Sequence, residues 1–280
     1  MYIRIWGITF LVGFSMLSGV FLVMTERTFS PLRVVFMDVG QGDAILVSQG
    51  KTQVLIDGGR DGKILLGKLG KHLPFWDRQI ESVIATHPDA DHVGGLAAVI
   101  DRYHVATYLS NGSKGESETF DHLKRVLDSD KKVEQSVFVA GSKIIFPGGA
   151  ELQTLFPKIG ETMVGGETNE QSIVIRVVFG DASFLLTGDL PHEETVLPDI
   201  ASAKVLKVSH HGSKYSTSDH WLSAVQPEDA IISVGKNRYG HPAGEVLSRL
   251  QQRGIRTLRT DEMGDIVYIC REAACRLSER

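Results

Sequence analysis

A short apolar run, Ser82–Thr86, ends directly in His87-Pro88-Asp89-Ala90-Asp91-His92-Val93-Gly94-Gly95, and this stretch constrains the chain more than any other. The run reads as a buried strand, and the two glycines before the apolar stretch ending at Arg102 read as a turn into a helix over Gly94–Arg102. Four metal-binding side chains, His87, Asp89, Asp91 and His92, therefore crowd one strand-to-helix turn. In an extended turn, residues i and i+2 project to one side. One cation can then take His87 and Asp89 while a second takes Asp91 and His92. The glycines let the backbone pass close behind such a site. A surface loop holding Asp and His by accident is the rival reading, and four ligand types in six positions weigh against it.

Two further strand ends carry the same chemistry. Ser183–Thr187 leads into Gly188-Asp189, which places a carboxylate where it can bridge two cations. Val205–Ser209 leads into His210-His211-Gly212-Ser213-Lys214. Adjacent residues on a strand point to opposite faces, so one histidine can face the metals while the other packs or meets substrate, and the sequence leaves open which. Weaker signals are the Asp38–Asp43 glycine turn, Asp57-Gly58-Gly59, Asn169 with Ser172, and Tyr239-Gly240-His241-Pro242. Ordinary turn chemistry explains these equally well. No G-x-S-x-G elbow, reactive-cysteine setting or G-x-x-x-x-G-K-[ST] loop is present, which removes the corresponding nucleophilic and nucleotide chemistries.

The remaining pattern is a strand-rich α/β chain. Strands are predicted at Arg33–Asp38, Ala44–Ser48, Gln53–Asp57, Thr107–Ser110, Lys143–Phe146, Glu151–Leu155, Ser172–Phe179, Ala230–Val234 and Ile266–Cys270. Helices are predicted at Gly62–His72, Glu118–Leu127, Asp219–Val225 and Gly244–Arg253, and glycine-rich Phe156–Glu170 reads as a loop. With 42% hydrophobic residues in 280 and a formal charge of -4, the chain can bury a core, and it has no global basic field for nucleic acid. No composition shift divides residues 31–280, which read as one domain. Cys270 and Cys275 either close a small loop, which needs an oxidising compartment, or remain buried thiols.

Residues 1–30 stand apart. Ile5 to Thr25 is 21 residues without a charge, and a helix of that length is about 30 Å, enough for a bilayer. A membrane anchor is the reading taken, over a cleaved signal peptide, which lacks an A-x-A-like site before Glu26, and a buried helix, which would show a polar face. The domain is placed outside the cytoplasm, or secreted if the segment is cleaved.

His87–Gly95 resembles the H-x-[HD]-x-D-H signature of the metallo-β-lactamase superfamily. FMDVGQGDAILV, LIDGG, THPDADHVGGL, SFLLTGD, LKVSHHGSK and YGHP are together similar to the hydrolase domain of the ComEC-type DNA-uptake competence proteins, over roughly Val34 to Asp265. The resemblance implies an α+β fold, an αββα sandwich of two mixed sheets flanked by helices, here preceded by one apolar helix. It also implies two divalent metal ions, Zn2+ or Mn2+. His87 and Asp89 would hold the first, and Asp91, His92 and one of His210 and His211 the second. Asp189 would bridge them. Asp57 would tie the site to its strand. His210 is taken as the ligand, with Asp91, Asp57 and His211 as the catalytic set. Asn169 stands where the family at large has a histidine, and Asp89 replaces another, so hard oxygen ligands make Mn2+ a competitor to Zn2+. Two such cations lower the pKa of a bound water and polarise a substrate oxygen, which suits a phosphodiester. Asn169, Ser172, Ser213, Lys214 and His241, with Lys236 and Arg238, are the expected substrate contacts. The implied function is a DNase acting on single-stranded DNA or on the non-transforming strand during DNA uptake, beside a DNA-uptake channel protein. The alternatives are hydrolysis of a small envelope phosphodiester, lactone or amide, and a non-catalytic DNA-binding module.

Overall fold

The computed structural model describes residues 30–160, 167–271 and 274–278. The apolar segment 5–25 lies outside them, and no helix among the described residues is long and apolar enough to cross a membrane. The apolar runs become strands in chain order: β1 Leu32–Phe36, β2 Ile45–Gln49, β3 Thr52–Ile56, β4 Gln79–Ala85, β5 His104–Ser110, β6 Glu134–Val137, β7 Lys143–Ile145 and β8 Glu151–Phe156. They continue with β9 Val174–Phe179, β10 Ala182–Leu186, β11 Val205–Lys207, β12 Asp229–Ile232, β13 Arg256–Arg259, β14 Ile266–Arg271 and β15 Ala274–Leu277. One sheet has the order β15-β14-β1-β2-β3-β4-β5-β6 and the other β13-β12-β11-β10-β9-β8-β7. Each is mixed. β3 to β6 are parallel in the first sheet and β10 to β13 in the second, and the remaining neighbours are antiparallel.

Period-2 burial gives each sheet two apolar faces. The inner faces meet in one core that includes Phe36, Phe146, Ile175 and Phe184, with Tyr268 edge-on to Phe184 at 5.4 Å. The outer face of the first sheet is covered by α1 (Gly62–His72), α2 (Leu96–Arg102) and α3 (Glu118–Ser129). That of the second is covered by α4 (Asp219–Val225) and α5 (Gly244–Gln252), with fully buried Trp221 at its centre. Helix starts follow cap chemistry. Asp61 accepts from the Lys63 and Ile64 amides, Ser117 from Phe120 and Ser218 from Trp221. Leu65 and Leu69 on α1, and Leu123 and Leu127 on α3, are i, i+4 pairs facing the sheet. Each buried leucine contributes about 2 kcal/mol.

The differences from the sequence reading have local causes. β6, β13 and β15 were not predicted. All four β6 residues are exposed on a sheet edge and carry no apolar signal. The helix expected from Gly94 begins at Leu96, because Ala90–Val93 forms a separate single turn. The strand expected from Ser172 begins at Val174, after a 3-10 turn at Thr168–Gln171. β11 stops at Lys207, because Ser209–Gly212 curls into a 3-10 turn with His210 and His211 at φ 49° and 55°. Cys270 and Cys275 face one another across β14 and β15 and are paired as a disulfide.

Candidate metal centre

The turns after β1, β3, β4, β10 and β11 meet at one rim of the sandwich, and backbone hydrogen bonds lock them together. Asp43 N–H donates to the Asp91 carbonyl at 3.2 Å, Gly58 N–H to His92 at 2.6 Å and Gly59 N–H to Asp43 at 2.7 Å. The approach is too close for side chains. A Cβ on Gly42, whose φ is +127°, would lie 2.0 Å from the Asp91 carbonyl oxygen, and one on Gly95 would lie 2.2 Å from that of Gly58. The glycines of three motifs are therefore set by contact between loops.

Three histidines turn the same nitrogen into the space so formed. His92 donates through Nδ1 to Asp57 at 2.8 Å. His211 donates through Nδ1 to the Ser233 carbonyl at 2.8 Å. His87 Nδ1 lies 3.0 Å from Thr86 Oγ1, which itself donates to Asp57 at 2.7 Å. With Nδ1 committed, Nε2 of all three is buried and left without a hydrogen bond. Around them stand carboxylates. Asp189 Oδ2 lies 3.2 Å from His92 Nε2 and 3.3 Å from His211 Nε2, and Asp91 Oδ2 lies 3.6 Å from His211 Nε2. Orphaned imidazole nitrogens facing carboxylate oxygens fit divalent cations. Three overlapping sets have ligand atoms within 4.8 Å of one another: His87, His92 and Asp189; Asp91, His92 and His211; Asp43, Asp57 and His92.

The electrostatics follow from burial and crowding. Burial holds His87 well below the usual imidazole range, with the charge of His92 adding to it. Burial acts the same way on His92 and His211, but the carboxylates around them, Asp189 foremost, together outweigh it. Asp57 adds to the effect at His92, which rises well above its ordinary value, while His211 is pushed up to about 9. Burial alone would raise Asp189, yet His211, His92 and Lys207 hold it well below the carboxylate range. Asp57, with burial as the main cause, is raised.

The structure brings together His87, Asp91, His92, Asp189 and His211, with Asp57 behind them. His210 is the outer member of the histidine pair: it is 29% exposed, its Nε2 lies 3.8 Å from Asp189, and it belongs to none of the three sets. The strand-alternation argument does not apply to this pair, since both histidines sit in a left-handed turn. Asp89 is also at the rim. It is 39% exposed, accepts from Thr168 Oγ1 at 2.6 Å, and stands 3.9 Å from His87 Nε2. Asn169 Oδ1 is buried without a partner. Ser172 Oγ accepts from the Asp189 amide and touches His87 Nδ1, so it braces the site from behind. Ser213 is buried within its turn, and Lys214 is exposed with its ammonium over the Tyr215 ring. His241 stacks edge-on to His210 at 5.2 Å, and burial lowers it to about 4.

Sequence reasoning missed Lys207 and gave Asp43 too little weight. Lys207 is completely buried. Its Nζ lies 2.5 Å from Asp43 Oδ2 and 3.5 Å from Asp189 Oδ1, and donates to the Gly188 carbonyl at 2.7 Å. A lysine inside the apolar run Val205–Val208 was the available signal, since fully buried lysines are almost always paired. Beside the centre a cleft of about 960 Å3 runs along Asp89–Asp91 and the 111–117 loop, bordered by Arg60, Lys114 and Tyr239. Arg60 and Tyr239 also border an adjoining hollow with Lys236 and Arg238.

The sequence pattern described as "Metallo-beta-lactamase superfamily" matches residues 37–236. The chain belongs to the metallo-beta-lactamase superfamily. Members of this superfamily are generally metal-dependent hydrolases, and the His–Asp cluster lies inside the matched region. The chain is 32% identical over 260 residues to ComE operon protein 3 of Bacillus subtilis (strain 168), covering 84% of this chain and 32% of that protein. It is 28% identical over 274 residues to Competence protein ComA of Neisseria gonorrhoeae, covering 95% and 36% respectively. The chain thus spans about a third of the length of these competence-protein relatives. The metallo-beta-lactamase fold protein YhfI from Bacillus subtilis has the same fold, with a TM-score of 0.57 and 13% identity over 86% of this chain and 99% of that one.

Proposed function

We propose that this chain is a metal-dependent phosphodiesterase that cuts DNA, single-stranded DNA in particular, in the setting of DNA uptake. One observation carries the reading. Three histidines present unpartnered, buried Nε2 atoms to Asp91 and Asp189 beside a cleft whose lining includes Arg60 and Lys114 as well as Glu116 and Glu167. His87, His92 and His211, with Asp91 and the central Asp189, would hold two divalent cations, Zn2+ or Mn2+. His210 and Asp89 take the rim, where Asp89 can complete the set around His87. When bound, such cations supply a polarised substrate oxygen and an acidified water.

The protein's own groups do the rest. Asp57 fixes the His92 tautomer through Nδ1, and the Ser233 carbonyl does the same for His211, which keeps each ligand nitrogen aimed at the site. His210, 29% exposed next to half-buried His241, would meet the substrate at the rim. Arg60, Lys114, Lys236 and Arg238 offer positive charge to phosphates on either side of the reacting one, which compensates locally for the net charge of the chain. Exposed Tyr239 lies between cleft and hollow and offers a ring face to a base. The similarity to competence proteins supports a DNA-uptake setting, in which a channel protein would be the partner. The segment 5–25 would hold the domain at a membrane, on its extracytoplasmic side.

The test is cleavage of end-labelled single-stranded and duplex DNA by the full chain with Mn2+, beside Asp91→Ala. Cleavage by the wild type and at least a hundredfold less by the variant is expected, the scale of losing a group that organises transition-state charge. Intact DNA, with metal bound and a generic phosphodiester still hydrolysed, would redirect the assignment to a small ester.

A further inference from the structure

Phe75 and Trp76 are 79% and 72% exposed, and their rings pack edge-to-face with centroids 4.8 Å apart. Two large aromatic groups side by side in water are costly unless something covers them. They lie on the loop from α1 into β4, immediately before Asp77, whose carboxylate accepts from Gln53 at the start of β3. β1, β3 and β4 run in the same direction. The loop into β4 therefore sits at the end of the sheet where β1 begins, and there the Ser30 carbonyl accepts from Gln49 Nε2. Ser30, the first described residue, lies at this point, and β1 and β4 are three strand spacings apart, about 14 Å.

The His–Asp cluster occupies the opposite end. β4 runs seven residues from Gln79 to Ala85 before it delivers His87, which puts about 20 Å between the two ends. At this same end of the sheet, Lys51 in the β2–β3 turn and Arg78, two residues after Trp76, are exposed, while Asp77 is turned inward to Gln53. Tryptophan and phenylalanine beside basic groups, next to the exit of an apolar 21-residue segment, match the chemistry of a lipid–water interface with anionic headgroups.

We infer that the domain rests on the bilayer surface through Phe75 and Trp76, so that the metal centre opens away from the membrane. This rests on residues 5–25 being a membrane span and is independent of what the centre cleaves. It has a consequence for substrate. A site about 20 Å above the interface and facing outward receives a polymer arriving from solution, and it turns its back on the headgroups of its own bilayer.

The chain has three tryptophans, Trp6, Trp76 and Trp221, and Trp221 is fully buried. Trp6→Phe therefore leaves Trp76 as the accessible emitter. Full-length Trp6→Phe is reconstituted in equimolar phosphatidylcholine and phosphatidylglycerol vesicles, with bromine on the acyl chains close to the glycerol. Its emission is expected to fall relative to the same lipids without bromine, and the fall is expected to vanish in Trp6→Phe/Trp76→Phe. Unchanged emission from Trp6→Phe overturns the inference, whether wild-type Trp6 is quenched or not. DNA cleavage measured on the same vesicles is a separate readout, so loss of the nuclease assignment leaves this result standing.

Discussion

At the residue scale the informative group is Lys207. It is a fully buried ammonium between two buried carboxylates, Asp43 and Asp189, and removing one partner of such a set strands charge in the interior. Lys207→Met, of similar length, is expected to destabilise the metal-free protein by about 3 kcal/mol. Asp43→Asn combined with Lys207→Met should recover part of that loss, because the charge left behind is removed. Denaturant titration of the two single variants and the double variant measures the coupling, and strictly additive losses would reject it. Lys207 also marks where the sequence stops being informative. His87, Asp91, His92 and Asp189 could be read because each follows an apolar run at a strand end. The roles of Asp43 and Lys207 depend on a loop from one sheet meeting a strand of the other, and no local pattern records that. Which of His210 and His211 turns inward was hidden for a similar reason, since a left-handed turn replaces the extended backbone on which alternation depends.

At the element scale, the loops after β10 and β11 are clipped to each other by Glu193. Its carboxylate accepts from the Thr217 amide at 2.9 and 3.0 Å, while Arg249 holds the Ser216 and Thr217 carbonyls from α5. Burial pushes Glu193 up to about 7. A carboxyl raised above its unfolded value, 4.5, binds its proton more tightly when folded. Its contribution to stability is therefore greatest below pH 4.5 and declines as pH rises towards 7, by about 3 kcal/mol in all. Glu193→Gln removes the titration. The stability gap between wild type and variant should shift in the variant's favour from pH 5 to pH 8 and then level off. Denaturation midpoints at four pH values test this, and parallel curves would rule it out. The element pattern was largely legible, because most strands and the helices α1 to α5 carry period-2 or i, i+4 apolar signals. β6 escaped because an exposed edge strand needs no apolar residue, and the two ends redrawn at Val174 and Lys207 are those where a 3-10 turn forms beside the site.

At the scale of the whole molecule, the candidate metal centre spans the two sheets. His87, Asp91 and His92 come from the end of β4 in the first sheet, and Asp189 and His211 from the ends of β10 and β11 in the second. Each sheet has its own helical cover, and the rim cluster is a polar bolt between the two halves, in addition to the inner core and the Gln49–Ala150 and Tyr268–Asp229 hydrogen bonds. Cations binding there stabilise the folded state alone, by about 2.7 kcal/mol when free metal is a hundred times the dissociation constant. They must also displace protons. His211 is pushed up to about 9, and Asp189 and Asp57 hold His92 well above the ordinary imidazole value. Protonation of these groups competes with metal at neutral pH and weakens as pH rises. The melting temperature should therefore rise with Mn2+ or Zn2+, more at pH 8.5 than at pH 6.5, and return to the starting value with chelator. Asp189→Asn should lose most of the increment while still unfolding in a single transition, because it keeps the shape of the side chain and removes its negative charge. A metal increment that is the same at both pH values, or that survives in Asp189→Asn, would mean that the cation binds somewhere other than between the sheets.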